Sequence, residues 1–154
     1  MSELATIMWT AAFTILGGVL VYVVGEVLSK FFIEPIHDLK RVIGEVRFNL
    51  AYFSPILHTP TSRTRERSDE ASKELLKNSC DLFSKVNAIP FYELVSRISC
   101  GFLPSKRCAK EAAVQLRELT TYLHEDGSKA AESIEVIGRR VKKVEECLGL
   151  ESIE

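Results

Sequence analysis

One uncharged run limits what this chain can fold into more than any other feature. Residues Leu4 to Gly25 contain no Asp, Glu, Lys or Arg. As an α-helix, these 22 residues would be about 33 Å long, which matches the roughly 30 Å hydrocarbon core of a bilayer. The run therefore predicts a single membrane-spanning helix, to which we assign residues 1–30.

The residues on either side of the run predict its orientation. Glu3 precedes it without any basic residue, so the start of the chain does not look like a cleaved signal peptide, which needs a basic segment. Basic residues follow the run closely, and they set topology by remaining on the cytoplasmic side. We therefore expect the N-terminus outside and the C-terminus in the cytoplasm. These basic residues are Lys30, Lys40, Arg41 and Arg47.

A row of small or polar side chains recurs at every fourth position of the predicted membrane helix. Small residues let two membrane helices approach each other, and hydroxyl groups can bond across the contact or face water. We read the row as a helix-packing or pore-lining surface with a carboxylate at its cytoplasmic mouth. The alternative is chance, because Thr and Gly are common in membrane helices. The candidate residues are Thr10, Thr14, Gly18, Tyr22 and Glu26, with Thr6 and Lys30 at the two ends.

The remaining residues have the composition of one modest soluble domain. About 125 residues follow the membrane segment, and the net formal charge of the whole chain is −1. The chain has no excess of basic residues that would indicate binding to nucleic acid, so any anion-binding site must be a local cluster of basic residues. The 4 cysteines form no C-x-x-C pair, which predicts reduced, mostly buried thiols without a metal or cofactor.

Apolar periodicity predicts an all-α fold. Residues 31–58 read as a juxtamembrane amphipathic helix that begins at Pro35 and either lies on lipid headgroups or continues the membrane helix into an oligomer. Residues 59–68 read as a linker. Residues 69–150 then predict a small four-helix bundle.

The predicted bundle has four parts. A helix begins near Asp69, with Phe83 in its buried stripe, and a short helix lies within residues 91–102. Ser105 caps the third helix, and a turn at residues 124–128 joins it to the fourth as an antiparallel hairpin.

Basic residues crowd the start of the third predicted helix, where free backbone N–H groups and the helix dipole favour a phosphate. We expect a ligand-binding site for a phosphate-bearing molecule there, and the alternative is a solvated basic surface. A second basic cluster at residues 139–143 alternates with acids and reads as ordinary surface pairing. The candidate ligand-binding residues are Arg97, Ser105, Lys106, Arg107, Lys110 and Arg117.

One pattern hints at catalysis. The segment Arg117-Glu-Leu-Thr-Thr-Tyr-Leu-His124 resembles the Arg-x(4–6)-His motif of HEPN ribonucleases, in which the Arg and the His act on a phosphodiester. Such a pair also arises often between ordinary surface residues on one helix. No hydrolase elbow, phosphate-binding glycine loop or carboxylate pair accompanies it. We therefore predict that the chain is not an enzyme.

Three short segments resemble a family of small bacterial membrane proteins: Ile33-Glu34-Pro35-Ile36, Asn87-Ala-Ile-Pro-Phe-Tyr92 and Leu103-Pro-Ser-Lys106. In layout the chain is also similar to membrane effectors of bacterial anti-phage defence, such as the channel-forming partner in Hailong systems and the one-pass CRISPR ancillary proteins. In those groups a cytoplasmic helical domain senses an oligonucleotide and an oligomer of membrane helices opens.

That resemblance implies a function for this chain. We expect a homo-oligomer, most simply a tetramer, in the bacterial inner membrane, with a nucleotide or oligonucleotide ligand and a nucleotidyltransferase as its partner. The alternatives are a membrane-anchored HEPN-like ribonuclease and a non-catalytic membrane adaptor that recruits a partner protein.

Overall fold

One uninterrupted helix runs through Ala5–Tyr52, and we call it the rod. The remaining helices pack around its second half. The computed structural model describes residues 2–59, 64–98, 103–123 and 130–150. These residues contain helices and no β-strand, which confirms the all-α class. Their elements are α1 (Ser2–Leu28), a π-helical turn (Ser29–Ile33), α2 (Glu34–Tyr52), α3 (Ser54–His58), α4 (Arg65–Ala88), α5 (Tyr92–Ile98), α6 (Lys106–Tyr122) and α7 (Ala130–Leu148).

The π-helical turn joins α1 to α2 without a break. Pro35 has no N–H, and in an α-helix its ring would clash with the carbonyl of Phe31. The wider turn relieves this clash, and the Glu34 N–H donates to the Ser29 carbonyl, five residues back. Our prediction that a separate helix begins at Pro35 is therefore wrong, because the proline widens one turn and the helix continues to Tyr52.

Helix α2 belongs to the bundle. One side of it is buried against α4, which excludes the prediction that it lies on lipid headgroups and supports the alternative that it continues the membrane helix. The four main helices are α2, α4, α6 and α7, and the 7-residue α5 only closes one end. The prediction that the segment around α5 supplies the fourth helix is wrong, because a helix of that length has little surface to bury. The buried α2 residues are Leu39, Val42, Val46 and Leu50.

Side-chain contacts establish that neighbouring helices run antiparallel. Lys85 near the end of α4 meets Asp38 near the start of α2, with 2.6 Å between Nζ and Oδ2. Along α4 and α6, Ser79 donates to the Ala113 carbonyl at 2.6 Å, and Phe83, farther along α4, contacts Lys110, which lies earlier on α6. Lys143 near the end of α7 pairs with Glu111 near the start of α6 at 2.7 Å. The ends of α4 and α7 and the starts of α2 and α6 therefore lie at the end of the bundle nearest α1.

The remaining predictions for these helices hold in part. Helix α4 begins at Arg65, so the predicted linker 59–68 was too long at its C-terminal end. Phe83 is 48% exposed, which corrects its assignment to the buried stripe, because that stripe continues through Leu82 and Val86 on an adjacent face. The predicted turn at residues 124–128 lies outside the described residues.

Among the residues that the structure describes, the amide nitrogen of one fully buried core side chain lacks a hydrogen-bond partner. Asn78 on α4 is 1% exposed, and its Nδ2 has no hydrogen-bond acceptor. Burying an amide donor without an acceptor costs free energy, whereas the neighbouring Ser79 hydroxyl is satisfied by the Ala113 carbonyl.

These two neighbours generate a stability prediction. Asn78→Leu should raise the free energy of unfolding by about 1 kcal/mol, because it removes the unsatisfied amide at similar volume. Ser79→Ala, the matched control, should lower it by about 1 kcal/mol through loss of a satisfied hydrogen bond. Denaturant unfolding of the full-length protein in detergent measures both. A larger loss for Asn78→Leu than for Ser79→Ala would contradict this account.

The contact between Asp38 and Lys85 generates a pH prediction. The hydrogen bond from Lys85, and then its charge, lower the pKa of Asp38 below its ordinary value of 3.8. A lowered pKa stabilises the folded state above the unfolded value, and this contribution is lost as the pH falls through the folded value. The melting temperature of Asp38→Asn should therefore lie below that of the wild type at neutral pH, and the gap should close below about pH 3.8. Glu34→Gln, an exposed change on the same helix, is the control, and a gap that persists unchanged in acid would refute the prediction.

Candidate functional site

The predicted polar row of α1 faces outward along the helix. Thr10 and Thr14 each donate their hydroxyl to a carbonyl four residues earlier, both at 2.8 Å. The hydroxyl donors of these two threonines are therefore satisfied within the helix and do not need water.

The lower part of the row is open to a second helix. A methyl group built on Gly18 would meet no atom within 4 Å, and the Tyr22 side chain is exposed. At the end of α1 nearest the bundle, Glu26 pairs with Lys30, with 2.8 Å between the carboxylate and the ammonium. The carboxylate predicted at a pore mouth therefore already has a cationic partner within its own helix.

The second group of predicted residues lies where α5 meets the start of α6. Ser105 caps α6 as predicted, because its hydroxyl oxygen accepts from the Cys108 N–H at 3.1 Å. Tyr92 is buried, and its hydroxyl donates to the Pro104 carbonyl at 2.8 Å. Burial, and then the nearby Cys108 thiol, raise the pKa of Tyr92 to about 12. The hydroxyl therefore stays protonated and holds α5 against the turn that precedes α6.

Two neighbouring cavities share the Lys106 side chain. The first, of about 420 Å³, places Lys106 beside Arg97 and the apolar side chains of α5. The second, of about 460 Å³, brings Lys106 together with Arg107 and Lys110. We call the second cavity the α6 groove, and its other lining residues are Glu93, Glu111 and Val114.

One acid that lines the α6 groove is already paired with a residue outside the groove. Glu111 is bound by Lys143 at 2.7 Å and by the Gln115 amide at 3.0 Å. The hydrogen bond from Lys143 is the main cause of its lowered pKa. The Lys110 ammonium lies 5.4 Å from the centre of the Phe83 ring, a cation–π contact. The groove therefore contains three basic side chains, Lys106, Arg107 and Lys110, and the Lys110 ammonium contacts the face of the Phe83 ring.

Arg117 does not join this cluster. It is exposed on α6, seven residues beyond Lys110, which corresponds to about 10 Å along the helix. Its inclusion among the ligand-binding residues is not supported, because the helical rise separates it from the other basic groups. Its predicted catalytic partner, His124, lies outside the described residues.

The basic cluster at residues 139–143 divides into two kinds of contact. Arg139 pairs with Glu135 along α7 at 3.5 Å, as the sequence predicted. Arg140 instead reaches across to α6, where it contacts Glu118 and donates to Gln115 Oε1 at 2.7 Å. Sequence spacing cannot reveal this network, because its members are more than 20 residues apart.

The cysteines also depart partly from expectation. Cys80 is exposed and Cys108 and Cys147 are half-buried, so the prediction of mostly buried thiols is too strong. The Cys108 and Cys147 thiols are in hydrogen-bonding contact between α6 and α7, although burial is the larger cause of the raised pKa of Cys147. In the part of the chain that the structure describes, no group of His, Cys, Asp and Glu side chains forms a metal site.

Known proteins add no further constraint. Comparison with protein-family models, with curated proteins and with solved structures finds no match to this chain.

Proposed function

We propose that this chain is a single-pass membrane effector that self-associates through α1 and whose cytoplasmic bundle controls the membrane helices in response to a phosphate-bearing ligand. The observation that carries the proposal is the uninterrupted helix from Ala5 to Tyr52, which is apolar at its start and part of the bundle core at its end.

Continuity of the rod couples the two parts mechanically. Along α2, Leu39, Val42 and Val46 are fully or almost fully buried in the same core as α4 and α6. A closely packed core transmits displacement, and no flexible linker separates α2 from α1. A ligand that tilts or rotates the bundle therefore also moves the membrane helix, as gating of a pore would require.

Self-association is supported by what α1 leaves exposed. Every side chain described between Ala5 and Leu28 is exposed in the single chain, and membrane helices associate through close packing at small residues. The row that contains Gly18 leaves room for a second helix, because a Cβ built on Gly18 would meet no atom within 4 Å. The number of subunits, expected to be four, follows only from the resemblance to channel-forming defence effectors.

The ligand is proposed from the α6 groove. Lys106, Arg107 and Lys110 lie in the first turns of α6, where the helix dipole also favours an anion. Copies of this groove in neighbouring subunits would present repeated positive charge, which suits an oligonucleotide. If the groove binds no nucleotide, the alternative is a non-catalytic adaptor that recruits a partner protein.

A substitution at Gly18 tests self-association. Gly18→Ile should loosen the oligomer, because the added side chain meets nothing within its own chain and acts only on a neighbouring helix. Ala12→Ile is the matched control, since it adds bulk about 120° around the helix from Gly18. Chemical crosslinking and light scattering of full-length protein in detergent compare the two variants.

The expected result is a smaller assembly for Gly18→Ile and an unchanged one for Ala12→Ile. A monomeric wild-type protein would remove the effector proposal. Equal loss of assembly in both variants would place the contact elsewhere on α1.

Neutralising the α6 groove tests the ligand. The triple variant Lys106→Ala, Arg107→Ala and Lys110→Ala should bind labelled single-stranded or cyclic oligonucleotides about tenfold more weakly or worse, because each lost phosphate contact lowers affinity. The control triple variant changes Lys73, Lys77 and Lys142 to Ala, which removes the same charge from exposed positions elsewhere.

Fluorescence anisotropy across a salt series separates the outcomes. A loss confined to the groove variant supports the proposal. Equal binding by both triple variants and the wild type, or no binding by any of them, would argue for the adaptor alternative.

A further inference from the structure

The apolar surface of the rod extends beyond the uncharged run. Val27, Leu28, Phe31 and Ile33 are all exposed. Apart from the exposed Glu26–Lys30 pair, the helix from Ala5 to Ile33 is apolar over about 43 Å, which matches a bilayer including its headgroup regions, about 40–45 Å thick. If α1 crosses a membrane, as the proposed function requires, Ile33 lies at the cytoplasmic edge of the headgroups.

The bundle brings α5 close to that edge. Asp38 lies five residues beyond Ile33, or about 7 Å along the helix. Lys85 on α4 forms an ion pair with Asp38. Helix α4 runs toward the membrane and rises about 4 Å more before it ends at Ala88. The segment that follows, α5, is therefore at the end of the bundle that faces the lipid.

Helix α5 and Phe91, which directly precedes it, present an outward surface of unusual composition for a soluble domain. Phe91 is 77% exposed and Leu94 is 58% exposed. Arg97 is also exposed. It lies on the same side of α5 as Leu94, because positions three residues apart share a helix face. The opposite side, with Tyr92, packs into the bundle. We call Phe91, Leu94 and Arg97 the α5 face.

The bundle itself does not require this aromatic residue. Phe91 has φ of +51°, a backbone conformation that costs a bulky residue free energy and suits Asn or Gly. Its ring is also mostly in solvent, so burial within the chain offsets little of that cost. A contact outside the described chain would account for both features.

We propose that the α5 face docks on the membrane surface, with Phe91 and Leu94 entering the headgroup layer and Arg97 binding the phosphate of an anionic phospholipid. Aromatic and aliphatic side chains flanked by basic residues are the usual composition of such surfaces. Lys106 and Glu93 line the same cavity as Arg97, so the two basic side chains there outnumber the one acid. Docking holds the bundle against the bilayer. A movement that a ligand causes in the bundle is then transmitted to the rod.

A fluorescence experiment on the full-length protein tests this surface. The chain has 1 tryptophan, Trp9 in α1, so Trp9→Phe provides a background for new probes. Phe91→Trp places a probe on the α5 face. Tyr52→Trp is the matched control, an exposed aromatic position at the far end of α2, about 36 Å beyond Leu28.

Both probes are measured in nanodiscs containing phosphatidylglycerol and a lipid with a nitroxide on its headgroup. Quenching should be severalfold stronger at position 91 than at position 52. Adding Arg97→Gln should shift the docking equilibrium by about fivefold, the factor expected for one basic charge at an anionic surface. The shift should vanish in nanodiscs of phosphatidylcholine alone.

Three results would overturn the proposal. The first is equal quenching at positions 91 and 52. The second is quenching at position 91 that is the same in both lipids and does not change with Arg97→Gln. The third is displacement of the probe by added oligonucleotide, which would assign the α5 face to nucleic acid. Phe91→Asn provides a separate check. It should keep the melting temperature of the folded bundle, whereas a marked loss of stability would mean that the aromatic ring serves the fold.

The native Trp9 distinguishes this inference from the proposed function on which it rests. In the wild-type protein, lipids brominated on their acyl chains should quench Trp9 if α1 spans the membrane. Quenched Trp9 with an unquenched probe at position 91 refutes only the docking of α5. Unquenched Trp9 refutes the membrane effector itself.

Discussion

The antiparallel packing of α2 against α4 is the interaction on which the rest of the structure depends. It makes the second half of the rod part of the bundle core, and it sets the direction in which every later helix runs. Without it, α1 would be a tether with a separate domain below it. With it, the position of the bundle relative to α1 is fixed, including both the α6 groove and the α5 face.

Pro35 makes this arrangement compatible with a continuous helix. A proline inside a helix usually forces a kink or an end, and here the cost is met by one wider turn between Ser29 and Ile33. The turn lies where the apolar surface gives way to the bundle. A departure from regular helix at this point is well placed for a joint through which movement of the bundle reaches α1, since π-turns are frequently found at functional positions.

The polar contacts divide between structural and open groups. Glu111 is bound by Lys143 and Gln115, and Arg140 by Glu118 and Gln115, so these pairs fix the register of α6 against α7. Arg97 instead lines a cavity beside exposed apolar side chains, and Arg107 lines the α6 groove. The first set stabilises the bundle, and the second is the one that we propose meets ligand or lipid.

The sequence by itself determined the all-α class, the apolar helix of α1, the Ser105 cap and the buried seams of α6 and α7, because each depends on residues within a few turns of one helix. Only the tertiary structure decided that α2 is a bundle helix, that Phe83 is exposed, and that α5 lies at the end of the bundle nearest α1. These features depend on which helices pack together and in which direction. Local periodicity gives the apolar face of a helix, but it does not identify the helix that covers that face.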